Sequence, residues 1–148
     1  DLNAVVSEAI GHLDSEFRAQ GISLQLANDR DLPLVWADRI LMVQALLNLL
    51  GNARDAVIKN PEGHRIIKIS TTAHEQDLVV TIEDNGIGLP ANADQIFDAF
   101  VTTKKNGMGM GLAIAKSIVE AHDGRIYASS PDGPGTLLQL SMPRKSAG

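Results

Sequence analysis

The sequence predicts a two-layer α/β (α+β) sandwich in which a mixed, mostly antiparallel sheet of about five strands packs on three helices. Three observations predict it. Apolar residues recur at helical spacing in three separate segments. Short segments of alternating character lie between and after them, two of them arranged as a hairpin. The composition, 44% hydrophobic with 3% aromatic in 148 residues, supports one domain whose core rests on Leu, Ile, Val and Ala.

Each element has its own signal. Leu2, Val5, Val6, Ala9, Ile10, Leu13 and Phe17 mark a helix from Leu2 to Gln20, and Gly21 stands where it should end. Ile22 to Leu26 alternates as a half-buried strand, Asn28 to Asp31 reads as a turn, and Leu34-Val35-Trp36 as a short strand after Pro33. Asp38 is an N-cap residue for the strongest helix, Arg39 to Lys59, which Asn60-Pro61-Glu62-Gly63 stops. Ile66 to Ala73 and Leu78 to Glu83 are strands joined around His74 to Asp77. An irregular stretch runs from Asp84 to about Met110, with a helical turn near Asp94 to Phe97. Such a long stretch inside a small domain points to function. Gly111 to His122 is another helix, and Arg125 to Ser129 and Thr136 to Met142 close the sheet around Pro131 to Gly135. Arg144 to Gly148 reads as a loose tail, and the one candidate boundary falls near Gly21.

Composition narrows the function classes. Without cysteine there is no disulfide, thiolate metal site or cysteine nucleophile. A net charge of −5 argues against charge-driven binding to nucleic acid or anionic membrane. No apolar run approaches the roughly 20 residues of a membrane span. The opening Asp1-Leu2-Asn3 is neither a signal peptide nor an initiator Met, so an excised fragment is expected.

Three segments carry chemistry. On the long helix, Gln44, Asn48, Asn52, Asp55 and Lys59 form one polar stripe, while Ile40, Val43, Leu46, Leu47, Leu50, Ala53 and Val57 cover much of the remainder. An amide oxygen is a hard ligand suited to Mg²⁺, though the same stripe is also an ordinary polar helix face. Next, a strand ends in Asp84-Asn85-Gly86-Ile87-Gly88. Its acid can accept a hydrogen bond from an exocyclic amine, and its glycines allow close backbone approach, but Asp-Asn-Gly is also a plain turn signal. Third, Gly107, Gly109 and Gly111 precede a helix, with Lys104 and Lys105 nearby. Helix N-terminal amides and lysines make an anion cradle, and a mobile lid without phosphate chemistry is the competing reading. The spacing fits neither the Rossmann nor the Walker A pattern.

Taken together and in this order, the segments resemble the catalytic and ATP-binding domain of bacterial two-component sensor histidine kinases, within the wider group that includes Hsp90, DNA gyrase and MutL. Gln44 to Asp55 matches the N box and Asp84 to Gly88 the first glycine box. Ile96 to Phe100 matches the phenylalanine box, Gly107 to Leu112 the second glycine box, and Gly135-Thr136 and Met142-Pro143 the last strand. The resemblance covers about Ile22 to Pro143. The Phe100-Val101-Thr102-Thr103-Lys104 stretch and the short lid look most like the nitrogen-, oxygen- and dicarboxylate-sensing kinases.

The resemblance implies a Bergerat ATP-binding fold, with ATP and Mg²⁺ as cofactors and ADP as product. Asn52 is then the Mg²⁺ ligand, with Asn48 beside the phosphates and Asp55 in a water-mediated metal contact. Asp84 binds the adenine amino group, assisted through water by Gly88 and Thr136, and Gly86 belongs to the same turn. Gly107, Gly109, Gly111 and Leu112 lie at the phosphates, Thr103 and Lys104 in the lid, and Lys104 neutralises phosphate charge. Phe97 and Phe100 anchor the lid. Catalytic roles fall to Asn48, Asn52 and Lys104.

Hydrolysing relatives carry a Glu one turn before the metal-binding Asn. Asn48 is neutral and cannot act as a general base, which favours transfer to a protein group. The implied acceptor is a histidine on a separate dimerisation domain. The family signature puts an acid directly after that histidine. His74-Glu75 and His122-Asp123 have the dipeptide, but the helical hairpin it needs is absent.

The expected layout is residues 1–21 as a connector or tail of the preceding dimerisation domain, 22–143 as the ATP-binding domain and 144–148 as tail. Expected partners are that dimerisation domain and a cognate response regulator, with no nucleic acid and no membrane contact. The parent is expected to be a cytoplasmic or membrane-bound homodimer with this portion in the cytoplasm, and the fragment a monomer. Competing functions are a nucleotide-sensing module without chemistry, a hydrolysing relative, and an anti-sigma-type serine kinase.

Overall fold

The computed structural model of the chain describes residues 2–28, 38–58, 60–61, 63–86, 108–129 and 135–143. In order these form α1 (Leu2–Ala19), β1 (Ser23–Asn28), α2 (Arg39–Val57), β2 (Ile66–Ala73), β3 (Asp77–Asp84), α3 (Met108–Ala121), β4 (Arg125–Ser129) and β5 (Thr136–Pro143). The strand expected at Leu34 to Trp36, the helical turn near Asp94 to Phe97 and the tail from Arg144 lie outside the described residues.

The strands lie in the order β1-β2-β3-β5-β4. Only the β1–β2 pair is parallel. A parallel pair needs a crossover, and α2 supplies it. Side-chain alternation then sorts the residues by face. Ile69, Ile82 and Leu138 form one buried row across β2, β3 and β5, and Thr71, Val80 and Leu140 another. On the opposite face Lys68, Ser70, Thr72, Thr81, Glu83 and Gln139 are exposed or half-exposed. The sheet therefore buries one face only, as its alternation predicts.

The helices cover that face. Val5, Val6, Ala9 and Phe17 of α1 share one core with Met42, Val43, Leu46, Leu49, Leu50 and Val57 of α2 and with Ala115 and Val119 of α3. Helix α1 closes as expected at Gly21, which takes a left-handed φ of 67° while Ile22 N–H bonds the Phe17 carbonyl at 2.9 Å. Asp38 caps α2 by accepting from Leu41 N–H at 3.1 Å.

Two expectations are corrected. Ile40 was assigned to the apolar cover of α2 but is 76% exposed, because it precedes the stretch that meets the sheet, where Met42 and Leu49 are buried instead. Helix α3 starts at Met108, so Gly109 and Gly111 lie in its first turn rather than before it. The residue after α3 in the left-handed conformation is Asp123, φ 63°. Gly124 is needed for room: a Cβ there would meet the Ser141 carbonyl and lie 2.7 Å from Met142 Sδ. No described helix is long and apolar enough to cross a membrane.

Candidate functional site

Asp84 ends β3 on the helix-facing side, in register with Ile67 on one flank and Thr136 on the other. It is 3% exposed and Thr136 is 4% exposed. A carboxylate taken out of water needs hydrogen bonds. Asp84 Oδ1 accepts one from Gly86 N–H at 2.9 Å, which folds the turn back on the acid.

Two glycines make this corner possible. Gly135 has φ +118°, and a Cβ on it would collide with the Asp84 carbonyl oxygen. A Cβ on Gly86 would collide with the carbonyl of Ala56 in α2 and lie 2.7 Å from the Ala56 Cβ. The turn after β3 is thus pressed against α2 about one turn beyond Asn52. Asn85 locks that turn from behind. Its Oδ1 accepts from Ile66 N–H at 2.9 Å, its Nδ2 donates to the His64 carbonyl at 2.8 Å, and its carbonyl accepts from Asn60 Nδ2 at 2.9 Å.

The stripe on α2 faces the same corner. Asn48, Asn52 and Asp55 are half-buried and Gln44 is exposed. Gln44 Nε2 donates to Asn48 Oδ1 at 3.3 Å. Asn48 Nδ2 is shielded from solvent and has no hydrogen-bond partner among the described residues. A buried donor of this kind calls for an acceptor. Asp55 Oδ1 lies 3.4 Å from Arg54 Nε, and Arg54 Nη1 lies 2.7 Å from Glu16 Oε1 of α1. Neither Arg54 nor Glu16 was singled out in the sequence, since the partners stand 38 positions apart.

Helix α3 packs beside α2. Its carboxyl end touches the start of α2, because His122 Nε2 accepts from Asp38 N–H at 3.0 Å. At 1.5 Å per residue, the run back from His122 to Met108 is about 21 Å and ends level with Asn52 of the antiparallel neighbour. Gly109, Gly111 and Leu112 therefore lie in the first turns of α3, whose N-terminal end, with its partial positive charge, stands beside the amide stripe. Gly88, Phe97, Phe100, Thr103, Lys104 and Gly107 lie outside the described residues.

The donors present suit a hydrated hard cation. Mg²⁺ keeps several waters and takes one or two protein oxygens, and Asn52 offers a half-buried amide oxygen in a corner that also holds Asp55. Among the described residues no group of three or more His, Cys, Asp or Glu forms a metal cage. The histidines lie elsewhere. His74 is exposed in the β2–β3 turn, and both His122 ring nitrogens are engaged, Nδ1 with the Ile118 carbonyl at 2.8 Å.

Known proteins share this sequence pattern and fold. The family described as histidine kinase-, DNA gyrase B- and HSP90-like ATPase matches residues 37–146. The sensor histidine kinase TmoS of Ectopseudomonas mendocina is 34% identical over 97% of this chain and 15% of its own length. The C4-dicarboxylate transport sensor protein DctS of Rhodobacter capsulatus is 33% identical over 97% of the chain and 22% of its own length. The chain thus spans less than a quarter of either relative. The nucleotide-free catalytic domain of histidine kinase ThkA superposes with a TM-score of 0.86 at 29% identity, over 97% of this chain and 93% of that one. ThkA in complex with response regulator protein TrrA gives 0.83 at 26% identity, over 98% of this chain and 41% of that one.

Proposed function

The chain belongs to the histidine kinase-, DNA gyrase B- and HSP90-like ATPases as a catalytic domain of the histidine-kinase kind, and from this we propose that it binds Mg-ATP and presents the γ-phosphate to a histidine on a separate dimerisation domain. The observation that carries the reading is the buried carboxylate of Asp84, held by Gly86 N–H and flanked by Thr136 at the edge of the α2 amide stripe. A buried acceptor beside a hydroxyl is what an adenine amino group and a bridging water require.

Each residue then has a task. Asp84 accepts from the adenine amine, Thr136 and Gly88 hold a water, and Gly86 keeps the turn close to α2. Asn48 turns its buried amide N–H toward phosphate oxygen. Asn52 offers its amide oxygen to Mg²⁺, and Asp55 holds a water on that ion. The amides of Gly107 and Gly109 receive phosphate oxygens at the N-terminus of α3, with Gly111 and Leu112 in the turn behind them. Lys104, with Thr103, closes over the charge, and Phe97 and Phe100 fasten the lid. Bound Mg²⁺ supplies charge neutralisation at the phosphates. Positioning and electrostatics carry most of a phosphoryl transfer. Asn48 has no basic group to activate water, so the site favours a protein nucleophile over hydrolysis.

By itself the domain binds nucleotide as a monomer and does not phosphorylate itself. Its partners are the dimerisation domain of a homodimeric parent and, downstream, a response regulator. Helix α1 joins the two domains while packing into the core of this one. An ATP-consuming domain without cysteine suits the cytoplasm, the location we assign it. Calorimetric titration with ATP and GTP, with and without Mg²⁺, tests the pocket. Incubation with labelled ATP and a supplied dimerisation domain tests the transfer. Adenine-selective, Mg²⁺-enhanced binding and acid-labile label on the added domain are expected. Acid-labile label on this chain alone overturns the assignment, and ATP binding without any transfer favours a nucleotide-sensing module.

A further inference from the structure

Arg54 and Asp55 are neighbours in sequence, and adjacent helix positions point in different directions. Their 3.4 Å contact therefore needs the arginine bent across the helix surface. The same guanidinium also meets Glu16, which reaches from α1 to Arg54 Nη1 at 2.7 Å. One guanidinium is thus shared between two carboxylates on different helices. Side-chain exposure falls along the chain of contacts, from 46% at Glu16 to 23% at Arg54 and 17% at Asp55. The contact next to the amide stripe is the better shielded one.

A surface ion pair contributes little to stability, so the arrangement matters for where it puts charge. Asp55 stands one helical turn past Asn52, on the same stripe. Its carboxylate repels a triphosphate and attracts a cation. We infer that Arg54, anchored by Glu16 of α1, is a positioning residue for the nucleotide site: it fixes the Asp55 carboxylate and offsets its charge beside the phosphates. The inference rests on the nucleotide reading of the site. It also links α1 to that site through side chains rather than through the shared core alone.

The sign of the effect separates this role from a structural staple. With Arg54 gone, the Asp55 charge is less compensated and weakens binding of metal-free ATP more than binding of Mg-ATP. The test is calorimetric titration of the chain with ATP in EDTA and with ATP in excess Mg²⁺. For Arg54→Gln the Kd in EDTA is expected to rise about tenfold while the Kd in Mg²⁺ moves less than about threefold, so the ratio of the two grows. Glu16→Gln shifts the ratio in the same direction by a smaller factor. Arg54→Lys returns it toward the native value, and Asp55→Asn added to Arg54→Gln does the same. Melting temperatures accompany each variant. If Arg54→Gln does not fold, Glu16→Gln and Arg54→Lys decide the matter. An unchanged ratio in the folded variants, with or without a lower melting temperature, overturns the inference and leaves the site reading intact. Failure of the folded native chain to bind ATP overturns the site reading and this inference with it.

Discussion

The backbone N–H of Asp38 donates to Nε2 of His122 across 3.0 Å, so the residue before α2 is tied to the residue just past α3. The other ring nitrogen faces the Ile118 carbonyl at 2.8 Å, which assigns the proton to Nδ1. A histidine at this helix end is expected to complement the helix dipole. It does something more specific, since it sets the level at which two helices pass each other. That level decides whether the glycine-bearing start of α3 lies beside Asn52.

Removing the ring should therefore loosen the helix pair. For His122→Ala a loss of about 1–2 kcal/mol is expected in urea unfolding, with His122→Gln recovering part of it through its side-chain oxygen. A His122→Ala chain as stable as the native one would show that the bond carries nothing.

Gly86 and Gly135 test the packing of the corner. Gly86→Ala drives a methyl into the Ala56 carbonyl, and Gly135→Ala adds strain at φ +118° to a collision with Asp84. Each should destabilise by about 1–3 kcal/mol, Gly135→Ala more. Thermal melts give the order directly.

Asp84→Asn keeps the shape and one acceptor oxygen but replaces the charged acceptor with a donor on the other arm. ATP affinity should fall at least about tenfold, since a hydrogen bond to a charged group contributes about 1.5–3 kcal/mol. Weak binding of GTP should change little. Equal losses for both nucleotides would mean that Asp84 supports the fold and does not read the base.

Asn52→Ala should abolish the gain in ATP affinity that Mg²⁺ brings, while affinity in EDTA stays within about threefold of native. Calorimetry in the two buffers reads both. Transfer to a dimerisation domain that persists in Asn52→Ala would contradict the metal assignment.

Much of the fold was legible because its signals are local. The alternation of Ile66 to Ala73 and of Arg125 to Ser129 matches the observed strands residue for residue, and Asp38 caps α2 as expected. The polar stripe on α2 was legible as well, since helical spacing alone puts Gln44, Asn48, Asn52 and Asp55 on one face. Ile40 was misread because periodicity identifies a stripe but not how far along a helix the sheet reaches. The role of Gly124 was hidden for a related reason. Gly124 looks like a helix stop, and only the approach of Ser141 from β5 shows that it serves packing.

By itself, then, the sequence determined the identity and order of the elements, the faces they bury and the residue types available for a nucleotide. These follow from spacing and from the chemistry of single side chains, which near neighbours alone control. The tertiary structure decided the strand order β1-β2-β3-β5-β4, the seating of Gly86 against Ala56, the level at which α3 passes α2, and the reach of Glu16 to Arg54. Those are contacts between residues far apart in the chain. They form only when the whole apolar face closes at once, so no local pattern announces them.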